Sequence, residues 1–141
     1  VPQRSCTFCS IVRGDTPAFV VLDAPEVLAF LDNRPLFPGH CLLVPRDHHE
    51  VLTDLPVALV GPLFTTAQRL ARAVESALPA DGSFIAINNR VSQSVPHLHV
   101  HVVPRRQKDG LKGFFWPRYK YSGEQEMHDV RDAIVTALAD G

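Results

Sequence analysis

Pro96-His97-Leu98-His99-Val100-His101-Val102-Val103-Pro104 alternates imidazoles with apolar side chains between two prolines. Along a strand successive side chains point to opposite faces, so His97, His99 and His101 share one face and Leu98, Val100 and Val102 the other. The run therefore predicts a strand with one buried apolar side. Three of the chain's seven histidines line the opposite side. Imidazole titrates nearest neutrality, so such a row suits proton transfer, phosphate binding, nucleophilic attack or metal ligation. A lone histidine on an apolar strand reads most simply as a hydrogen-bonded core residue; three at strict alternation do not.

One metal ion for all three is the poorer use of the row. Alternate Cα atoms lie about 6.6–7 Å apart on a strand, so the outer pair are about 13 Å apart. Zinc–nitrogen bonds are only about 2.0–2.1 Å long. The spacing better fits a line of groups addressing an extended ligand such as a phosphate chain. A neutral middle imidazole can attack phosphorus while its neighbours donate hydrogen bonds to oxygens that gain charge.

Working outward, Phe19–Asp23 and Glu26–Leu31 read as two strands around Ala24-Pro25, and Cys41–Val44 as a short central strand. Apolar residues at 57, 60, 63, 64, 67, 70, 71, 74, 77 and 78 follow a helical period, with Asp54 as a candidate cap. Pro62 predicts a kink there or a late start near Gly61. Asp81-Gly82 turns into a strand over Ser83–Asn88, and the histidine strand follows. Ser122, Glu124 and Glu126 suit a helix N-terminus, after which Met127, Val130, Ile134 and Leu138 form an apolar face. The fold class expected is α+β: an antiparallel sheet of about five strands with one long helix and a C-terminal helix.

Composition sets broad bounds. The chain's 141 residues, 45% of them hydrophobic, suit one globular domain with a usable core. A formal net charge of −1 gives no global reason to bind nucleic acid or a membrane. No apolar run approaches a membrane span, no signal peptide is visible, and three cysteines make no disulfide framework. A cytoplasmic protein is the expectation.

Cys6-Thr7-Phe8-Cys9 can be a redox pair, half of a zinc site, or two buried thiols or an adventitious disulfide. No thioredoxin-like pattern surrounds it, which weakens the redox reading. Zinc needs two more ligands, which His48 and His97 could supply, with His49 standing next to the first. Cys41 reads as core packing.

His97-Leu98-His99-Val100-His101-Val102-Val103 resembles, at every position, the signature of the histidine triad (HIT) family. Ala29-Phe30-Leu31-Asp32 through Pro38-Gly39-His40, then Leu42-Leu43-Val44-Pro45-Arg46 and His48, is similar to that family's central block. Phe8-Cys9-Ser10-Ile11-Val12-Arg13-Gly14 is similar to its usual start. The likeness covers roughly residues 6–106, closest in pattern to the Hint-like nucleotide hydrolases. It implies a single HIT domain over 1–141, its core about 6–106, with a basic and aromatic segment and a helix in 107–141.

The resemblance also implies roles. His99 would attack the α-phosphorus of an AMP-containing purine nucleoside phosphoramidate or dinucleoside polyphosphate, forming a nucleotidyl-histidine that water hydrolyses. His101 would bond the phosphate oxygens, and His97 and His40 would orient the row. Asp32 would accept from the ribose hydroxyls, Asn88 would touch the phosphate, and Gln93 and Ser94 the phosphate and leaving group. Phe8, Ile11, Phe30 and Leu42 would form the slot for the base. Some members hold a structural zinc, which carries over to Cys6, Cys9, His48 and His97. A homodimer without an organic cofactor is implied as well.

The loop Asn88-Asn89-Arg90-Val91-Ser92-Gln93 departs from the family in lacking glycines and in being short. Residues 105–120 hold six bases (Arg105, Arg106, Lys108, Lys112, Arg118, Lys120) and one acid, Asp109, around Phe114-Phe115-Trp116-Pro117. That cluster is either a solvated face or an attractor for an anionic leaving group or a dimer contact. In the hydrolase branch a C-terminal Trp reaches toward the partner's site, a role that the helix after Trp116 keeps from transferring directly. The competing functions are a non-catalytic purine-nucleotide-binding module, a nucleotidyltransferase of the same chemistry, and, more distantly, a metallohydrolase with zinc on the triad.

Overall fold

The computed structural model describes residues 5–112 and 117–141. The chain divides into two compact units, Val1–Asp109 and Gly110–Gly141. Phe114, Phe115 and Trp116 of the aromatic segment lie outside the described residues.

In the first unit, helix α1 (Thr7–Arg13) precedes strands β1 (Val20–Asp23), β2 (Val27–Leu31) and β3 (Cys41–Pro45). Helix α2 (Val57–Ala77) follows, then β4 (Gly82–Ala86) and β5 (Val100–Arg105). The sheet is antiparallel throughout, in the order β1-β2-β3-β5-β4. No described helix is long and apolar enough to cross a membrane.

Alternation along the central strands sorts two cores. Val27, Ala29, Cys41, Leu43, Val100 and Val102 face α2, packing with Leu63, Leu70 and Val74. Leu28, Phe30, Leu42 and Val44 face the other way and pack with Cys6, Phe8 and Cys9 of the α1 region. Leu42 pairs with Phe30 on one side and His101 on the other, and His101 with Ala86. The histidine row therefore lies on the α1 side of the sheet.

Several sequence expectations shift. The ladder of β5 begins at Val100, so His97 and His99 lie in the extended approach to it and only His101 pairs within the sheet. The cause is local: His97 N–H turns back to Val95 O, and Leu98 N–H leaves the sheet for His49 O. The alternation still holds, since Leu98 and Val100 are fully buried in the α2 core. Strand β4 ends at Ala86, short of Asn88. Helix α2 starts at Val57 with Pro56 as its N-cap, while Asp54 closes a 3-10 turn over Leu52–Asp54. The helix runs through Pro62, so it neither starts late near Gly61 nor is capped by Asp54. Proline lacks one donor and so removes one rung near the start of the helix. Thr66 Oγ1 donates to Pro62 O at 2.8 Å just downstream.

Helix α1 has no counterpart in the periodicity reading. Cys6 is its N-cap, its thiol accepting from Cys9 N–H at 3.4 Å, and Gly14 ends it at φ 82°. Gly14 was the available signal, as a left-handed residue closing a helix. Phe37-Pro38-Gly39-His40 forms a type II turn, with Gly39 at φ 96° and His40 N–H donating to Phe37 O at 3.0 Å. This turn delivers His40 to the start of β3.

In the second unit, helix α3 (Glu124–Asp140) has Gly123 as its N-cap. Glu126 accepts from Ser122 N–H at 2.7 Å and from Tyr119 O–H at 2.8 Å. Ser122 thus sits at the helix start, although Gly123 holds the cap position.

Candidate active site and metal centre

Four imidazoles converge beside α1, and the backbone dictates which nitrogen of each carries the proton. His99 Nδ1 lies 2.7 Å from His97 O. A carbonyl can only accept, so Nδ1 holds the hydrogen and Nε2 keeps its lone pair. His97 Nε2 donates to Pro45 O at 2.8 Å, which leaves its Nδ1 lone pair free. Leu36 N–H donates to His40 Nδ1 at 3.1 Å, so a neutral His40 carries its proton on Nε2. That proton points at His101 Nδ1, 2.9 Å away, and His101 must then be protonated on Nε2. The row thus offers a lone pair at His99 and, one position on, an N–H donor at His101; the two rings stand 4.9 Å apart.

Burial favours the uncharged form of each ring in the row. It pushes His97 and His101 down to about 4, and lowers His40 and His99 despite the opposing pull of Asp32. Asp32 Oδ2 lies 3.7 Å from His40 Nε2. That exceeds a hydrogen bond, and a neutral His40 makes it no ion pair.

Among the described residues, two groups of side chains have the spacing to hold a metal. Cys6, Cys9, His48 and His97 bring two thiols and two imidazoles within 4.8 Å of one another. Both thiols lie 3.5 Å from His97 Nδ1, and Cys9 Sγ lies 3.3 Å from His48 Nδ1. Tetrahedral zinc with bonds of about 2.3 Å to sulfur and about 2.0–2.1 Å to nitrogen separates its ligands by about 3.5 Å. His97 presents a lone pair there because Pro45 O holds its other proton, the outer-shell arrangement of metal-binding histidines. The residues fit zinc. His48, not His49, faces the thiols; both have a buried Nε2 without a partner among the described residues.

Asp32, His40 and His101 form the second group. Metal bonding at His40 Nε2 would move its proton to Nδ1, against Leu36 N–H. This trio works better as a hydrogen-bond relay than as a metal centre.

Phe8, Phe30 and Leu42 are buried in one cluster, with Ile11 packed against it. Asp32 Oδ1 accepts from Arg34 N–H at 2.9 Å, which fixes its carboxylate near the relay. Asn88 and Ser94 are exposed on the loop before the triad. Gln93 is half-buried and bonded within the protein. Its amide donates to Glu50 O at 2.6 Å and its oxygen accepts from Arg90 N–H at 2.9 Å, so it staples the loop. Arg90 and Ser92 take left-handed φ of 67° and 61°, in the loop where the family commonly has glycines. Among the basic residues, Arg105 pairs with Asp109 at 2.6 Å and Arg106 donates to Leu78 O at 2.9 Å.

The residues that sequence reading missed act through their backbone: His97 O, Pro45 O and Leu36 N–H direct the protons. Side-chain pattern carries no signal for them.

The HIT domain family model matches residues 13–108. An uncharacterized HIT-like protein of Saccharolobus solfataricus is 37% identical, the match spanning 94% of this chain and 97% of that one. An adenosine 5'-monophosphoramidase of Schizosaccharomyces pombe is 30% identical over 86% of this chain and 90% of its own. The crystal structure of a zinc-bound histidine triad family protein from Mycobacterium smegmatis is 38% identical, covering 97% of this chain and 98% of that one, at a TM-score of 0.73. A triad on the α1 face, the sheet that carries it and these likenesses agree: the chain belongs to the HIT domain family.

Proposed function

We propose that this chain is a nucleotide hydrolase that cleaves AMP-containing substrates at the α-phosphorus through His99. The observation that carries the reading is the bond from His99 Nδ1 to His97 O, which aims a neutral lone pair at Nε2. In the first step Nε2 bonds to the α-phosphorus and the bond to the leaving group breaks. The leaving group departs with the electron pair and takes up a proton. Water then attacks the nucleotidyl-histidine, releasing AMP and restoring the imidazole. His101 Nε2–H donates to a phosphate oxygen as its charge grows. Ser94 is the loop candidate for the leaving group and Asn88 for the phosphate, while Gln93 shapes the loop. Asp32 takes the ribose hydroxyls, and Phe30, Leu42 and Ile11 wall the base.

The phosphoramidase named among the relatives makes an adenosine phosphoramidate the first substrate to try. Zinc on Cys6, Cys9, His48 and His97 has a structural role, and the working form is a homodimer. AMP release from an adenosine phosphoramidate and a diadenosine polyphosphate should be compared between wild type and His99→Ala. Loss in the variant, with an AMP adduct on wild-type His99 after alkaline quench, which spares the acid-labile N–P bond, is the expected result. AMP binding without turnover in wild type would instead mark a binding module.

A further inference from the structure

Phe8 stands between the two thiols of the metal clasp and touches the nucleophile. Its ring meets His99 edge-on at 5.1 Å and 84°, His97 at 6.0 Å and 73°, and Phe30 at 5.4 Å and 67°. These are favourable edge-to-face geometries. The ring is only 6% exposed, so most of its surface is spent on protein.

Helix α1 is seven residues long, too short to hold itself in water. Two features anchor it: the Cys6 and Cys9 thiols against His97 and His48, and the burial of Phe8. His97 is the second link, because its ring faces the thiols while its carbonyl holds His99 Nδ1–H. The clasp and the nucleophile thus meet through one backbone carbonyl and one aromatic ring.

We infer that Phe8 is a positioning residue that ties the Cys6–Cys9 metal clasp to the His99 ring, so that loading the clasp orders the nucleophile. This rests on the reading of His99 as nucleophile and of the clasp as a zinc site. A metal that fixes α1 fixes Phe8, and Phe8 leaves the His99 ring one orientation against His97 O. A wall of the base slot would affect nucleotide affinity; a positioning residue affects the reacting ring before any nucleotide arrives.

The test uses the full chain as wild type, Phe8→Leu and Phe8→Ala, each zinc-loaded and chelator-stripped, with nitrogen-15-labelled histidine. Loaded wild type should show one His99 tautomer with a protected Nδ1–H. Stripped wild type and loaded Phe8→Ala should both lose that protection. Loaded Phe8→Ala should also lose about 10- to 100-fold in single-turnover rate, the scale of a misplaced reacting group. Stripping zinc from Phe8→Ala should add little, since a shared link is broken only once. Phe8→Leu keeps the bulk and should fall between; it decides on the same readouts if Phe8→Ala does not fold. A wild-type tautomer and single-turnover rate in the loaded variants, with only AMP affinity weakened, would overturn the inference. So would a His99 signal indifferent to zinc in wild type. Full activity in His99→Ala would instead defeat the underlying functional reading, and failure of wild type to bind zinc the metal reading.

Discussion

His40 Nε2 donates to His101 Nδ1 across 2.9 Å, and the direction of that bond is set by Leu36 N–H at the far side of the His40 ring. The Leu36 amide, four residues upstream of His40, therefore decides that His101 keeps an N–H, not a lone pair, on Nε2, where the proposed substrate's phosphate would meet it. Exchanging the donor for an acceptor there would oppose negative charge instead of stabilising it.

His101→Ala should accordingly lower the single-turnover rate of nucleotidyl transfer by about 10²–10³-fold, the usual cost of a lost donor to a developing oxyanion. His40→Ala leaves the His101 ring in place with its tautomer unset, and should cost about tenfold. Rapid-quench measurement of AMP release reads both. A larger loss for His40 than for His101 would contradict the relay order.

The same burial makes the fold sensitive to acid. His101 is held down at about 4 and His40 is also lowered, by burial in each case, while both take protons near 6.5 when unfolded. Groups uncharged in the folded state and protonated in the unfolded one leave stability intact above the unfolded pKa. That stability is lost as pH falls from about 6.5 toward 4. Melting temperature should therefore drop between pH 7.5 and pH 5 at constant ionic strength, and His101→Asn should show a shallower drop. A flat profile for wild type would mean the two rings are more hydrated than their packing implies.

Alternation and turn residues made the sheet and the histidine face readable, because burial on two sides of a strand leaves a period of two. Leu28, Phe30, Leu42 and Val44 were equally readable as strand residues, but their strands are buried on both faces, so only the resemblance singled out Phe30 and Leu42 for the site and nothing singled out Leu28 and Val44. The β5 start at Val100 was hidden because Leu98 finds its partner in His49 O, a contact between loops distant in sequence. Gln93 shows the limit for the site. Its carboxamide joins Arg90 N–H to Glu50 O, 43 residues upstream, and no local pattern announces that pairing.

Metal occupancy should be separable from nucleotide chemistry. Cys9 Sγ faces both His48 and His97, so Cys9→Ser removes the thiol with the most ligand neighbours. Wild type should hold one zinc per chain by atomic emission, and a chelator should lower its melting temperature. Cys9→Ser should hold none and melt at one temperature with or without chelator. Zinc uptake by wild type near neutral pH should release protons from the thiols, readable in a weakly buffered solution. Full zinc in Cys9→Ser would point to a donor set other than these four residues.

Gly39 offers a test of how the fold delivers His40. It takes the left-handed position of the Phe37–His40 turn, at φ 96°. A Cβ there would overlap Leu78 Cδ1 and come within 3.3 Å of Pro104 Cγ. The left-handed backbone alone costs an L-residue about 1–2 kcal/mol, and the crowding adds to it. Gly39→Ala should thus destabilise the protein by about 2–3 kcal/mol in urea unfolding. Leu78 Cδ1 is the tip of a flexible side chain, so Gly39→Ala with Leu78→Ala relieves the overlap but not the backbone strain. The pair should then cost less than the sum of the two single variants, because the clash is counted only once. Activity should fall in Gly39→Ala by more than its folded fraction, since His40 follows the strained residue directly and loses its register with Leu36 N–H. An activity loss that tracks folded fraction alone would show that the turn serves stability and leaves the relay to β3.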